Sequence, residues 1–223
     1  MKLKISIIYD NKSLKPFKHG WGFSALINIE KRNILFDTGA DSEILFYNIK
    51  KLNIDPNKID TIILSHSHLD HSGGLLYILG LKEKFDVYLP KYMNPQKKAE
   101  FRSYGGNETR FIETDGIQTI SDNIKSVCTR EIFEQYLMIH LSKGILILTG
   151  CAHPGLSKII DYTEKYGKIY GIMGGFHGFA ELEKLKNIQF IAPCHCTGQI
   201  NEIKDMYPER FIDCAAGCKY EFE

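Results

Sequence analysis

The sequence has no apolar run approaching the ~18–20 residues needed to span a membrane. Near its start, only Ile5, Ser6, Ile7 and Ile8 stand together before charge returns, too short a stretch for the core of a secretory signal. An excess of one charge is also missing: 28 basic and 27 acidic side chains leave a net +1. Surfaces built for nucleic acid or anionic membrane carry a surplus of Lys and Arg, so neither partner is expected. No internal repeat, low-complexity tract or linker cuts the chain. The expectation is a cytoplasmic protein acting on a small molecule, with a homo-oligomer compatible with everything above.

What is present suits one domain. The 223 residues are 43% hydrophobic and 25% charged, enough to bury a core. The six cysteines are Cys128, Cys151, Cys194, Cys196, Cys214 and Cys218. In a reducing compartment they are thiols rather than disulfides. Cys214 and Cys218 read as small buried thiols, or as a second metal or redox pair.

Apolar periodicity gives strands at 3–9, 23–30, 33–36, 59–64, 85–89, 117–127, 131–140, 145–148, 169–173 and 188–192, with a turn at Lys31-Arg32-Asn33. Helices are expected from a cap at Asp41 or Ser42, after Gly74, at 95–101, 156–166, 180–187 and 199–207. Residues 210–223 can add a small strand. Residues 91–116 are polar and aperiodic and read as a lid or insertion, or as a solvated connector. Its Lys97, Lys98, Arg102 and Arg110 are candidate substrate clamps.

One theme recurs: an apolar strand, a Gly-rich loop bearing a ligand-type residue, then a helix. Its densest instance is Ser65-His66-Ser67-His68-Leu69-Asp70-His71-Ser72-Gly73-Gly74. His66 and His68 are two apart, so in extended chain their side chains leave on one side and can grip one ion. Asp70 and His71 lie beyond and suit a second. Imidazoles with a carboxylate fit Zn²⁺ first, Fe²⁺ or Mn²⁺ otherwise. Two such ions can hold a hydroxide at neutral pH and clamp a phosphate or acyl group. Further ligands come from other strand ends, where sites in open sheets gather: His195, His153 and Cys151. Cys151 reads as a ligand or as a buried thiol. His177, flanked by glycines, reads as a ligand, a proton-transfer or substrate contact, or a structural residue. Asp37 is expected to orient a ligand histidine, and His140 to be structural. His19 and Trp21 are candidates for the mouth of the site. Trp21, Phe23, Tyr92, Tyr104 and Phe176 could stack a flat ring or belong to the core.

The ten-residue motif resembles the metal motif of the metallo-β-lactamase superfamily. Ile34-Leu35-Phe36-Asp37-Thr38-Gly39, Thr149-Gly150-Cys151-Ala152-His153-Pro154-Gly155 and Pro193-Cys194-His195-Cys196-Thr197-Gly198 follow its order. His19-Gly20, Gly174-Gly175-Phe176-His177 and the last two loops are similar to its 7,8-dihydropterin-6-yl-methyl-4-(β-D-ribofuranosyl)aminobenzene 5′-phosphate synthase-like branch. The resemblance implies an α/β fold, a four-layer αββα sandwich with two divalent metal ions at one edge. It places His66 and His68 on the first ion, and Asp70, His71 and His195 on the second. It also implies a histidine before a late strand and an Asp bridging the ions at that strand's end. Here Cys151 stands in the Asp position, and His153 can supply the missing imidazole.

The expected activity is hydrolysis of a small, phosphate-bearing ester by a metal-bound hydroxide, with Asp70 and His177 as catalytic residues. The alternatives are the synthase-type condensation and a metal-containing sensor or binding protein without fast turnover.

Overall fold

Strand alternation sorts the apolar side chains of this chain into three layers. The computed structural model describes residues 2–30 and 32–223; Lys31, in the expected turn, lies outside them. The first half contains β1 (Leu3–Tyr9), β2 (Ser24–Ile29), β3 (Arg32–Phe36), α1 (Ser42–Lys51), β4 (Thr61–Ile63), α2 (Leu69–Ser72), α3 (Leu75–Leu79), β5 (Asp86–Pro90), α4 (Pro95–Ser103) and β6 (Arg110–Thr114). The second contains β7 (Gly116–Ser121), β8 (Ile124–Cys128), β9 (Tyr136–Leu141), β10 (Gly144–Thr149), α5 (Leu156–Thr163), β11 (Ile169–Gly175), β12 (Phe190–Cys194), α6 (Ile200–Met206) and β13 (Lys219–Phe222). One sheet runs β13-β1-β2-β3-β4-β5-β6 and the other β12-β11-β10-β9-β8-β7.

Between the sheets lie Ile5, Ile27, Ile34, Phe36 and Ile63 from one and Leu137, Leu146, Leu148 and Met173 from the other. The residues between them in sequence face outward. Leu35 and Ile62 pack with Leu45 and Ile49 of α1 and Ile78 of α3. Ile147 and Ile172 pack with Ile159 and Ile160 of α5 and Ile203 of α6. Two facing sheets of period-two strands, each covered on its outer face by helices, give the expected αββα sandwich. Asp41 caps α1, its carboxylate accepting from the N–H groups of Glu43 and Ile44. Among the described residues no helix is long and apolar enough to cross a membrane.

Three local expectations are corrected. Residues 91–116 are not a lid: α4 is a crossover that returns β6 parallel to β5 as a sheet edge. Residues 117–127 form the hairpin β7–β8 rather than one strand. Within 180–187 only a single 3₁₀ segment, Leu182–Leu185, is helical.

Candidate metal centre

β3 and β4 run parallel, as do β10, β11 and β12, so their C-terminal tips open at the same edge. Asp37 follows β3, Ser65 and His66 follow β4, Cys151 follows β10, His177 follows β11 and His195 follows β12. Asp37, Ala152, His177 and His195 all have positive φ, between 47 and 60°. That region is rare without glycine, and such strain clusters at functional sites. Gly150 lets the two halves touch. A Cβ there would lie 2.1 Å from Ser65 Oγ and 2.9 Å from Asp37 Oδ2.

The donors form two groups. In one, Asp70, His71, Cys151 and His195 each offer an atom within 4.8 Å of the others. His71 Nε2 lies 3.1 Å from both Cys151 Sγ and His195 Nε2. Asp70 Oδ2 is 3.2 Å from His195 Nε2 and 3.5 Å from His71 Nε2. Ligands on a tetrahedral zinc ion stand about 3.3–3.6 Å apart, so these separations fit the ion. In the other, His66, Cys151 and His153 converge. His68 joins them, its ring centroid 4.5 Å from that of His66 and 4.9 Å from that of His153. His66 Nε2 is buried with no hydrogen-bond partner. A ring nitrogen in that state fits a ligand better than a core residue. Cys151 is common to both groups.

A layer of acceptors aims these rings. Buried Asp37 accepts from the Ser65 N–H and hydroxyl and from His71 Nδ1, each at 2.7 Å. His66 Nδ1 lies 2.9 Å from Ser65 Oγ. Asp10 accepts from the His195 N–H at 2.8 Å, and Asn11 Oδ1 lies 3.1 Å from His195 Nδ1. In each of these cases Nδ1 is engaged and Nε2 is left facing the site. Glu134 was missed by sequence reasoning. It is buried, hydrogen-bonded to His153 Nδ1, and accepts from the His153 N–H at 3.2 Å.

Of the other candidates, Trp21 is 62% exposed with its ring 5.1 Å from that of His195, at the mouth. The exposed His177 ring is 4.7 Å from that of His153. His19 is exposed, and among the described residues it makes no hydrogen bond or ring contact with the donors. Arg110 is corrected. It begins β6 in register with Asp86 and Thr61, at the opposite end of the sheet from His66, and pairs with Asp86. Arg102 is taken up by Glu113 at 2.7 Å. His140 pairs with Ile145, at the strand end far from Cys151. Phe23 and Phe176 are core, whereas Tyr92 is exposed.

Charge is arranged for a cation. Burial alone would raise Asp70, but His195 and His71 outweigh it and hold the carboxyl well below its usual range. Burial opposes a proton on His71, yet Asp37 and Asp70 push its pKa up to about 10. Burial, with the neighbouring imidazoles, keeps His66 neutral. The Cys196 thiol beside it, then burial, raise Cys151. An ion must therefore displace protons from His71 and Cys151. Zinc affinity is expected to climb as pH rises from about 6.5 towards about 10, with proton release on binding. Calorimetric titration in buffers of different ionisation enthalpy measures it. A buffer-independent heat would contradict it.

Residues 22–122 match the family model of the metallo-beta-lactamase superfamily. An uncharacterised protein of Methanocaldococcus jannaschii is 32% identical over 239 residues, 87% of this chain and 90% of that one. The chain belongs to the metallo-β-lactamase superfamily. From the same organism, a 7,8-dihydropterin-6-methyl-4-(beta-D-ribofuranosyl)-aminobenzene-5'-phosphate synthase is 29% identical over 257 residues, covering 88% of this chain and 86% of the relative. A crystal structure described as a metal-dependent hydrolase of the beta-lactamase superfamily superposes with a TM-score of 0.79 at 25% identity, over 99% of each chain. The His, Asp and Cys donors of this chain form a candidate metal site, as suits an enzyme of this superfamily.

Proposed function

We propose that the protein is a hydrolase of small esters, phosphate-bearing ones preferred, built around two divalent ions, zinc first among them. The observation that carries this is Cys151 Sγ: it belongs to both donor groups, so one thiolate would help to hold both ions. When bound, such ions acidify water, polarise the ester and stabilise the charge that develops on it.

The rest is done by the chain. Asp37 and Asn11 hold His71 and His195 with Nε2 inward. The Ser65 hydroxyl does the same for His66. Asp70 supplies the negative charge nearest the mouth, its side chain 16% exposed. His177, exposed beside His153, can carry a proton between solvent and the leaving group. The Trp21 ring flanks His195 and offers a flat face to a substrate.

A second reading is the synthase-type condensation, favoured by the likeness to the dihydropterin-linked synthase over 88% of the chain. Metal analysis of the purified protein, with phosphodiester, phosphomonoester and carboxyl ester substrates beside a dihydropterin and a ribofuranosyl-aminobenzene phosphate, separates the two. The hydrolase reading expects two equivalents of metal and turnover on an ester. Condensation without ester turnover favours the second reading, and bound metal with neither activity defeats both.

A further inference from the structure

We propose that Glu134 is a positioning residue for the ion at His66, His68 and His153, fixing the His153 ring and supplying the negative charge that this half of the centre otherwise lacks. The inference rests on the metal-centre reading above and concerns how one half of it is built.

Glu134 is 3% exposed. Among the described residues it has no Lys or Arg partner, and its charged-group neighbours are two histidines. A buried carboxylate without a cation is costly. Its position needs another explanation, and both of its oxygens point to one. One meets His153 Nδ1 and the other accepts from the His153 N–H at 3.2 Å. Ring and backbone of one residue are thus gripped by one carboxylate, and His153 Nε2 is left for the site. The same oxygen that meets Nδ1 lies 3.7 Å from His66 Nδ1, so the charge faces the backs of two rings at once.

The next residue anchors the carboxylate. The Gln135 N–H donates to Ser65 O at 2.9 Å, and its side-chain amide donates to Tyr88 O at 2.7 Å and to Leu64 O. Ser126 Oγ closes the set on Gln135 Oε1 at 2.9 Å. Glu134 is therefore tied to the strand end that delivers His66, although it comes from the other sheet.

The charge account is uneven without it. Asp70 lies in the group with His71, Cys151 and His195, whereas the group of His66 and His153, which His68 joins, has no carboxylate and only a share in the Cys151 sulfur. A carboxylate behind a ligand imidazole makes it a stronger donor and fixes its tautomer.

The test compares Glu134→Ala, which removes acceptor and charge, with Glu134→Gln, which keeps an oxygen acceptor. Zinc titration against a chromophoric chelator follows the two equivalents separately, and nitrogen-15 spectra of the zinc-loaded imidazoles report the His153 tautomer. Glu134→Ala is expected to weaken one equivalent about 10–100-fold, leave the other in place and shift His153 away from its Nδ1–H form. Glu134→Gln is expected to recover part of that affinity. Wild-type binding of both equivalents by Glu134→Ala, or an unchanged His153 tautomer, overturns the proposal. Loss of both equivalents together with the folded circular-dichroism signal overturns it as well, because that is a purely structural role. His66→Ala and His153→Ala serve as references. If neither variant loses an equivalent, the metal-centre reading itself fails. If they do and Glu134→Ala does not, only the role of Glu134 fails.

Discussion

Cys151→Ser is expected to strip the protein of both ions rather than one. Its sulfur lies 3.1 Å from His71 Nε2 and also belongs to the group with His66 and His153. A serine hydroxyl is neutral at ordinary pH and cannot bridge as a thiolate does. Changes to residues behind the ligands cost about 10–100-fold in affinity or activity, so loss of a donor shared by two ions should exceed about 100-fold in ester turnover. Cys151→Asp is the informative partner: a carboxylate restores the charge and offers oxygens to both ions, at the position where the superfamily resemblance places an Asp. Metal content by plasma emission, read beside ester turnover, should rank wild type and Cys151→Asp above Cys151→Ser. Two full equivalents in Cys151→Ser would show that the sulfur is only a buried thiol.

Asp37→Ala is expected to be the most destabilising substitution at the site. The carboxylate is fully buried and accepts from the Ser65 N–H, the Ser65 hydroxyl and His71 Nδ1. Removing one member of a buried charged pair costs about 3–5 kcal/mol, or roughly 6–20 °C in melting temperature for a chain of this size. The pH dependence identifies the cause. His71 is raised from 6.5 to about 10 in the folded, metal-free chain. Its stabilisation is therefore fully present below about 6.5 and is lost as pH rises through about 10. Wild-type apoprotein should lose stability across that window, and Asp37→Ala should show a flatter profile. Thermal melts of the metal-free proteins from pH 6 to 10 measure both. Parallel profiles would mean that Asp37 does not carry the charge on His71.

Much of this was legible because both kinds of signal are dense. Ser65 to Gly74 places four donors in six positions, and the strands leading to Asp37, Cys151 and His195 are strongly apolar, so their tips could be found and made to converge. The failures have physical reasons. β6 carries Arg110 and Glu113 at an exposed sheet edge, so it lacks the apolar run that marked its neighbours, and its one cation, Arg110, was read as a substrate clamp. The β7–β8 turn at Asp122-Asn123 is embedded in a continuous strand-like pattern. Glu134 carried no motif at all. A lone glutamate inside the expected strand 131–140 draws no notice until the fold starts β9 at Tyr136 and brings His153 against it from 19 positions away. The signal that could have flagged it is its neighbour: Glu134-Gln135 puts two polar residues at the mouth of an otherwise buried strand.

The close approach at Gly150 has a consequence for how the protein matures. His71 and Cys151 are 80 positions apart in the chain, and His71 and His195 are 124 apart. No stretch released early from a ribosome holds a whole donor set, and the glycine contact that joins the halves forms only once both sheets have met. An ion that needs donors from both halves would then be captured only late in folding. From that moment bound metal would act as a latch, adding about 2.7 kcal/mol when free metal stands at 100 times its dissociation constant. A cell short of metal would accordingly hold a less stable form of this protein, more open to turnover than the metal-bound one.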